Sequence, residues 1–144
     1  MPRAALLVIF ALLPAVCRPG ANQPDPVATR NLVNGVLATF DVSGETFQVW
    51  VTNPNTVEQL LALQAGESTA TIPNGRILAG PGDGDHNAPW SWHLDPEDIE
   101  MADLTMELCD GAPSYVEEHL AEFTDTVGRY CPWAAQLTGL EDRR

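Results

Sequence analysis

Two alternating apolar runs joined by a two-residue turn constrain this chain more than any other feature. Val36, Ala38, Phe40 and Val42 alternate with polar or small residues, and Phe47, Val49 and Val51 repeat the pattern after Ser43-Gly44. A tight turn at Ser43-Gly44 sets Phe40 opposite Phe47, Ala38 opposite Val49 and Val36 opposite Val51. Both apolar sets then share one face, so turn chemistry and hydrophobic period agree on a single register.

The rest of the chain reads outward from that hairpin. Asn53 caps a helix with Pro54 in its first turn, Val57, Leu60 and Leu61 on its buried side and Gly66 as its stop. Asn74-Gly75 reads as a tight turn between Thr71-Ile72 and Ile77-Leu78. Residues 80–87 form a glycine-rich loop. Trp90, Trp92 and Leu94 alternate with Ser91 and His93. Asp95-Pro96-Glu97-Asp98 reads as the turn of a second hairpin, with Leu94 facing Ile99, His93 facing Glu100 and Trp92 facing Met101. A helix carrying Met101, Leu104, Thr105 and Leu108 competes with that reading. Ser114 and Glu117 make a capping box for a second helix with Val116, Leu120, Phe123 and Val127 inside. Residues after Trp133 are extended or frayed. The expectation is an α+β domain over residues 31–144: an antiparallel sheet of about five strands, two helices and one disulfide.

The N-terminus carries a targeting signal. Arg3 precedes the apolar run Ala4–Leu13, and Pro14-Ala15-Val16-Cys17 follows. This is the pattern of a secretory signal peptide over residues 1–17, and it is shorter than the ~20 apolar residues of a membrane span. A cut after Cys17 fits, with Ala15 three residues before it; bulky Val16 argues against lipidation of Cys17. Residues 18–30, with Pro19, Gly20, Pro24 and Pro26, read as a flexible leader. The mature chain then keeps only Cys109 and Cys131, which pair as a disulfide in an oxidising compartment.

Charge limits the partners. The formal net charge is −13, the 20 acidic residues all follow Cys17, and the seven basic residues are all arginines. Without a basic stripe, nucleic acid and anionic membrane surfaces are not expected partners.

Special residues concentrate between Asn87 and Trp133: three of the four tryptophans and two of the three cysteines. The segments Asn87-x-x-Trp90-Ser-Trp92-His93-Leu-Asp95-Pro96, Glu107-x-Cys109-Asp110 and Cys131-Pro132-Trp133 resemble the N-terminal domain of a calmodulin-binding protein family of slime moulds. The likeness runs from about Ala38 to Leu137, and similar domains form small exported bacterial proteins. Calmodulin binding itself is not expected: its targets are basic amphipathic helices, whereas the last helix carries Glu117, Glu118, Glu122 and Asp125.

The motif residues have two readings each. His93 is a general base or ligand, or a strand residue paired with Glu100. Trp90 and Trp92 are a stacking platform or core. Glu107, beside the cysteine, needs a donor such as a backbone amide or Arg129. Asp83, Asp85 and Asn87 sit at alternate positions as in calcium loops, but Ala88 and Leu94 occupy the places of the glycine and the bidentate glutamate. No metal or cofactor is expected, and no Gly-x-Ser-x-Gly elbow is present. Two functions follow. The first is an exported binding or interaction domain using Asn87, Trp90, Trp92, His93, Asp95, Glu107, Asp110 and Trp133. The second is a small extracellular hydrolase using His93 with Asp95 or Glu107. Converging polar groups in a pocket would mark the enzyme, and an exposed aromatic patch the binding module.

Overall fold

The computed structural model describes residues 29–144, so the segment expected to be a signal peptide and nearly all of the expected leader lie outside the described residues. Within them, six strands form two three-stranded antiparallel sheets rather than one sheet of five. The first sheet begins with the hairpin β1 (Val36–Val42) and β2 (Glu45–Val51), in the expected register. Ser43 and Gly44 take φ of 55° and 91°, the left-handed pair that matches strand twist in a two-residue hairpin. Residues beyond Trp133 complete this sheet as β6 (Ala135–Asp142), which pairs with the other edge of β1.

Helix α1 (Pro54–Gln64) follows as expected. Asn53 Oδ1 accepts from the Asn55 amide at 3.0 Å. At the far end Gly66 is left-handed (φ 74°), Gly66 N donates to Leu63 O and Glu67 N to Ala62 O. That is the bonding of a Schellman stop.

The second sheet has the order β4-β3-β5, from β3 (Ile72–Ala79), β4 (Trp92–Ala102) and β5 (Arg129–Tyr130). It corrects two turn assignments. Asn74 and Gly75 do not reverse the chain; they lie inside β3, paired with Glu100 and Ile99. Asp95–Asp98 does not close a hairpin either. It is an excursion within β4, four residues opposite the single residue Arg76. Arg76 pins it: its amide donates to Asp98 Oδ2 and its guanidinium binds the Asp95 carboxylate, while Glu97 N donates to Asp95 Oδ1. Leu94 therefore pairs with Ile77, His93 with Leu78 and Trp92 with Ala79. The excursion still returns Leu94 and Ile99 to one side, where both pack over Gly75. A Cβ there would stand 2.9 Å from Ile99 Cγ1 and 3.3 Å from Leu94 Cβ. The glycine is required by this close approach, not by a turn.

The helical reading of residues 101–108 fails as well: β4 runs to Ala102, and a 3-10 turn spans Glu107–Cys109. The expected second helix is interrupted, as α2 (Pro113–Glu118), α3 (Leu120–Glu122) and a π-helical turn (Phe123–Val127) that ends at left-handed Gly128. Ser114 does not cap it. Ser114 N and Oγ donate to Glu45, and Glu117 Oε2 accepts from Ser91 N at 2.9 Å. The two residues fasten the helix to β2 and to the loop before β4 instead of to each other.

One core joins the layers. Val36, Ala38, Phe40, Val42, Phe47, Val49 and Val51 meet Ile77, Trp92, Leu94, Ile99 and Met101, and Val57, Leu60, Val116 and Phe123 close the sides. Phe47 is its aromatic centre, with ring centroids 5.6 Å from Phe40, 5.7 Å from Trp92 and 5.4 Å from Tyr130, within the range of favourable tilted and edge-to-face packing. No helix of the described residues is long and apolar enough to cross a membrane.

Gly75→Ala should overpack this junction and cost roughly 1–3 kcal/mol, read from urea denaturation. An unchanged midpoint would show that Leu94 and Ile99 do not close over the glycine.

Candidate functional site

The first group of motif residues gathers on the outer edge of β2. In a two-residue hairpin the closing pair and every second pair exchange hydrogen bonds. Thr46, Gln48, Trp50 and Thr52 therefore turn their peptide groups away from β1. Such an edge is open to unwanted pairing unless covered. Here Trp90 Nε1 donates to Thr46 O at 2.9 Å, Gln48 N to Asn87 Oδ1 at 2.8 Å, and Thr52 N to Pro96 O at 3.0 Å. Asn87 Nδ2 reaches in the other direction to Trp92 O at 2.7 Å. Its buried carboxamide thus links β2 of one sheet to β4 of the other. Trp92 is fully buried, and Trp90 stacks on it with centroids 6.3 Å apart while packing against the core.

His86 and His93 hold the loop between β3 and β4. His93 Nδ1 donates to Gly80 O at 2.7 Å, not to Glu100, and His86 Nδ1 donates to Asp83 O at 2.9 Å. Each acceptor is a carbonyl, so each Nδ1 carries the proton. The His86 ring is fully buried on Gly82 and lies 5.8 Å, edge-on, from His93; its Nε2 has no partner among the described residues. Burial pushes the His86 pKa below the ordinary histidine value, and the neighbouring His93 adds to this, against the opposing Asp83 bond. The calcium reading does not survive for Asn87, because both ends of its carboxamide are engaged with the two sheets. Asp95 is likewise committed, and the Arg76 guanidinium holds its carboxyl below the usual carboxylate range.

The second group surrounds the disulfide. Cys109 and Cys131 are bridged with Cα atoms 5.1 Å apart, and both are buried beside Ile72. Asp110 organises the surface above: its Oδ1 accepts from Gly111 N and from Trp133 N, both at 2.8 Å. Tyr130 OH donates to Gly111 O at 2.9 Å, and burial raises its phenol pKa far above the ordinary value. Tyr115 packs on Gly111 from the other side and stacks on His119 with centroids 4.1 Å apart. Glu107 lies exposed on the 3-10 turn rather than on a strand. Arg129, one of the two donors expected for it, binds Asn74 and Asp98 instead.

Exposure separates the two groups. Six large apolar side chains stand exposed among the described residues, and five of them, Leu104, Met106, Leu108, Tyr115 and Trp133, belong to the disulfide end. Leu104, Met106 and Leu108 are 81%, 61% and 76% exposed. Between Leu104 and Met106 the hydroxyl of Thr105 is buried. A cleft of about 380 Å³ opens beside them, lined by Ala102, Leu104, Met106 and Cys109, with Glu100 and Arg129 among its polar walls.

Of the expected site residues, the fold gathers Asn87, Trp90, Trp92 and His93 into the junction of the sheets, and Asp95 into the β4 excursion. Glu107, Asp110 and Trp133 meet at the bridge. The sequence reading does not single out Leu104, Met106, Leu108 or Tyr115 as exposed surface; for the first three the available signal is the alternation of apolar with acidic or polar residues from Asp103 to Leu108. Residues 34–143 match the family model described as the BP-74 N-terminal domain, of a calmodulin-binding protein family. No curated protein and no solved structure matches the chain.

Two variants test the junction. Asn87→Ala leaves Gln48 N and Trp92 O without their partner and should cost about 2–6 kcal/mol, at about 1–3 per orphaned buried group, measured by chemical denaturation. Neutral His86 should make stability pH-dependent. With a folded pKa below the unfolded value near 6.5, the unfolded chain binds the proton more readily. The contribution is then complete above about pH 6.5 and declines as the pH falls through the folded pKa. Denaturation at pH 7.5 and pH 5 should show this loss in the native chain and a smaller one in His86→Gln; equal losses would assign the dependence to other groups.

Proposed function

The chain belongs to the BP-74 N-terminal domain family, and we propose that this member is an exported, acidic interaction domain that docks a protein partner on its disulfide-strapped end. One observation carries the reading: five of the six exposed large apolar side chains of the described residues sit around the Cys109–Cys131 bridge. Contiguous exposed apolar surface on a small domain is the usual mark of a docking site. The patch is also held in shape. The bridge fixes one end of the Asp103–Leu108 loop, and Asp110 ties Trp133 to the neighbouring turn, so little ordering entropy remains to be lost on binding.

The hydrolase alternative lacks comparable support. His93 is bound to Gly80 O, Asp95 to Arg76, and Glu107 belongs to the other group. The acidic run Glu117, Glu118, Glu122 and Asp125 also argues against this domain acting as a basic calmodulin target.

The test is capture from the native extracellular milieu with the mature, oxidised protein and with a Leu104→Ser, Met106→Ser, Leu108→Ser variant. The three side chains are exposed, so each substitution should change stability by no more than about 0.5 kcal/mol, the usual range at surface positions, while the variant loses the partner. A partner retained by the variant would place the docking surface elsewhere. Turnover of an extracellular substrate abolished by His93→Ala would restore the enzyme reading.

A further inference from the structure

We infer that the occupant of the disulfide-end patch is a cationic, apolar polypeptide segment; this rests on the docking reading and adds the chemistry of the partner. The patch is not simply greasy. Asp103 and Glu107 interleave with Leu104, Met106 and Leu108, and all five are exposed. Glu100 lines the adjoining cleft, and the π-helical turn bearing exposed Asp125 packs against the Glu107–Cys109 turn. An apolar stripe set among carboxylates is complementary to a segment that alternates apolar and basic side chains.

Among the described residues, Arg76, Arg129, Arg143 and Arg144 are each paired with a carboxylate, Asp95, Asp98, Glu141 and Asp142 in turn; Arg129, the one cation in the wall of the cleft, is held by Asp98, and the sequence has no lysine. A second copy of the chain would bring its own net charge of −13 to the contact, and so would meet repulsion across the rim. A cationic partner gains in both ways: apolar side chains cover Leu104, Met106 and Leu108, and basic ones pair with Asp103 and Glu107. Charge at the rim sets approach and selectivity more than depth of binding, whereas the apolar stripe supplies the area removed from water. Met106, unbranched and polarisable, suits a surface that must fit more than one apolar side chain.

The experiment is fluorescence anisotropy with a labelled amphipathic peptide of leucine and lysine, its leucine-glutamate counterpart and an oligolysine. The leucine-lysine peptide should bind the oxidised mature chain, weaken with added salt, and exceed both controls. Asp103→Asn with Glu107→Gln should weaken it about three- to tenfold, the scale of two exposed ion pairs. Glu58→Gln with Glu67→Gln, which removes the same charge at and just beyond α1, should change it less than about twofold. Equal weakening by both pairs, or equal affinity for oligolysine, would reduce the effect to general charge attraction and overturn the inference. Tighter binding of the leucine-glutamate peptide or of phosphatidylcholine vesicles would do the same by naming another occupant. The docking reading fails separately. If Leu104→Ser, Met106→Ser, Leu108→Ser abolishes capture of the natural partner but the Asp103, Glu107 pair does not weaken it, the patch stands and the cationic partner falls. If neither affects capture, the patch itself falls.

Discussion

The buried carboxamide of Asn87 is the constraint on which the rest of this structure depends. One side chain satisfies an outward-facing amide of β2 and a carbonyl of β4 at once, and so brings an edge of each sheet to the same place. Strand edges are costly to bury because each unpaired peptide group forfeits its hydrogen bonds to water. Asparagine is suited to the position, since its short amide carries one strong acceptor and one strong donor on a stem too short to wander. With the edges joined, Phe47, Trp92 and Tyr130 are held within contact of one another, and Trp90 closes the edge above them. The tryptophans and the asparagine of the motif therefore act together as one sheet-to-sheet junction.

The disulfide solves a different problem at the other end. The long segment from the end of β4 to β5 holds only short helical turns, with Val116 and Phe123 as its deepest anchors in the core. A covalent link across a sequence separation of 22 restricts the unfolded chain by an amount on the order of 3 kcal/mol. That restraint lets the Asp103–Leu108 loop hold a defined shape while leaving Leu104, Met106 and Leu108 in water. A loop without it would have to bury those side chains to stay ordered. Stability drawn from the bridge lets these apolar side chains remain exposed.

The failures of sequence reading share a cause. The β1–β2 hairpin and α1 were legible because every signal that sets them is local: the turn residues, the period and the caps lie within a few positions of one another. Asn74-Gly75 and Asp95–Asp98 carry equally strong local signals, yet both run within strands. Gly75 is there because Leu94 and Ile99 arrive over it from another strand, and Asp95–Asp98 bulges because Arg76 holds it from across the sheet. Ser114 and Glu117 match a capping box in spacing, but Glu45 and Ser91 outcompete the helix for them. In each case the deciding partner lies tens of residues away. The site shows the same division. Asn87, Trp90, Trp92 and Asp110 were recognisable as special residues, but whether each served the fold or a ligand depended on partners that spacing does not reveal.

By itself the sequence determined the hairpin register, the first helix with both its caps, the alternation that puts Trp92 and Leu94 inside, and the single possible pairing of Cys109 with Cys131 once Cys17 is set aside. These follow from dihedral preference, side-chain period and cysteine count, which act over short range or admit one solution. Only the tertiary structure decided that there are two sheets, that Asn87 joins them, and that the apolar loop beside the bridge faces water. Edges, exposure and long-range hydrogen bonds are properties of which surfaces meet, and that choice is made by the whole chain minimising unpaired polar groups and exposed apolar area together.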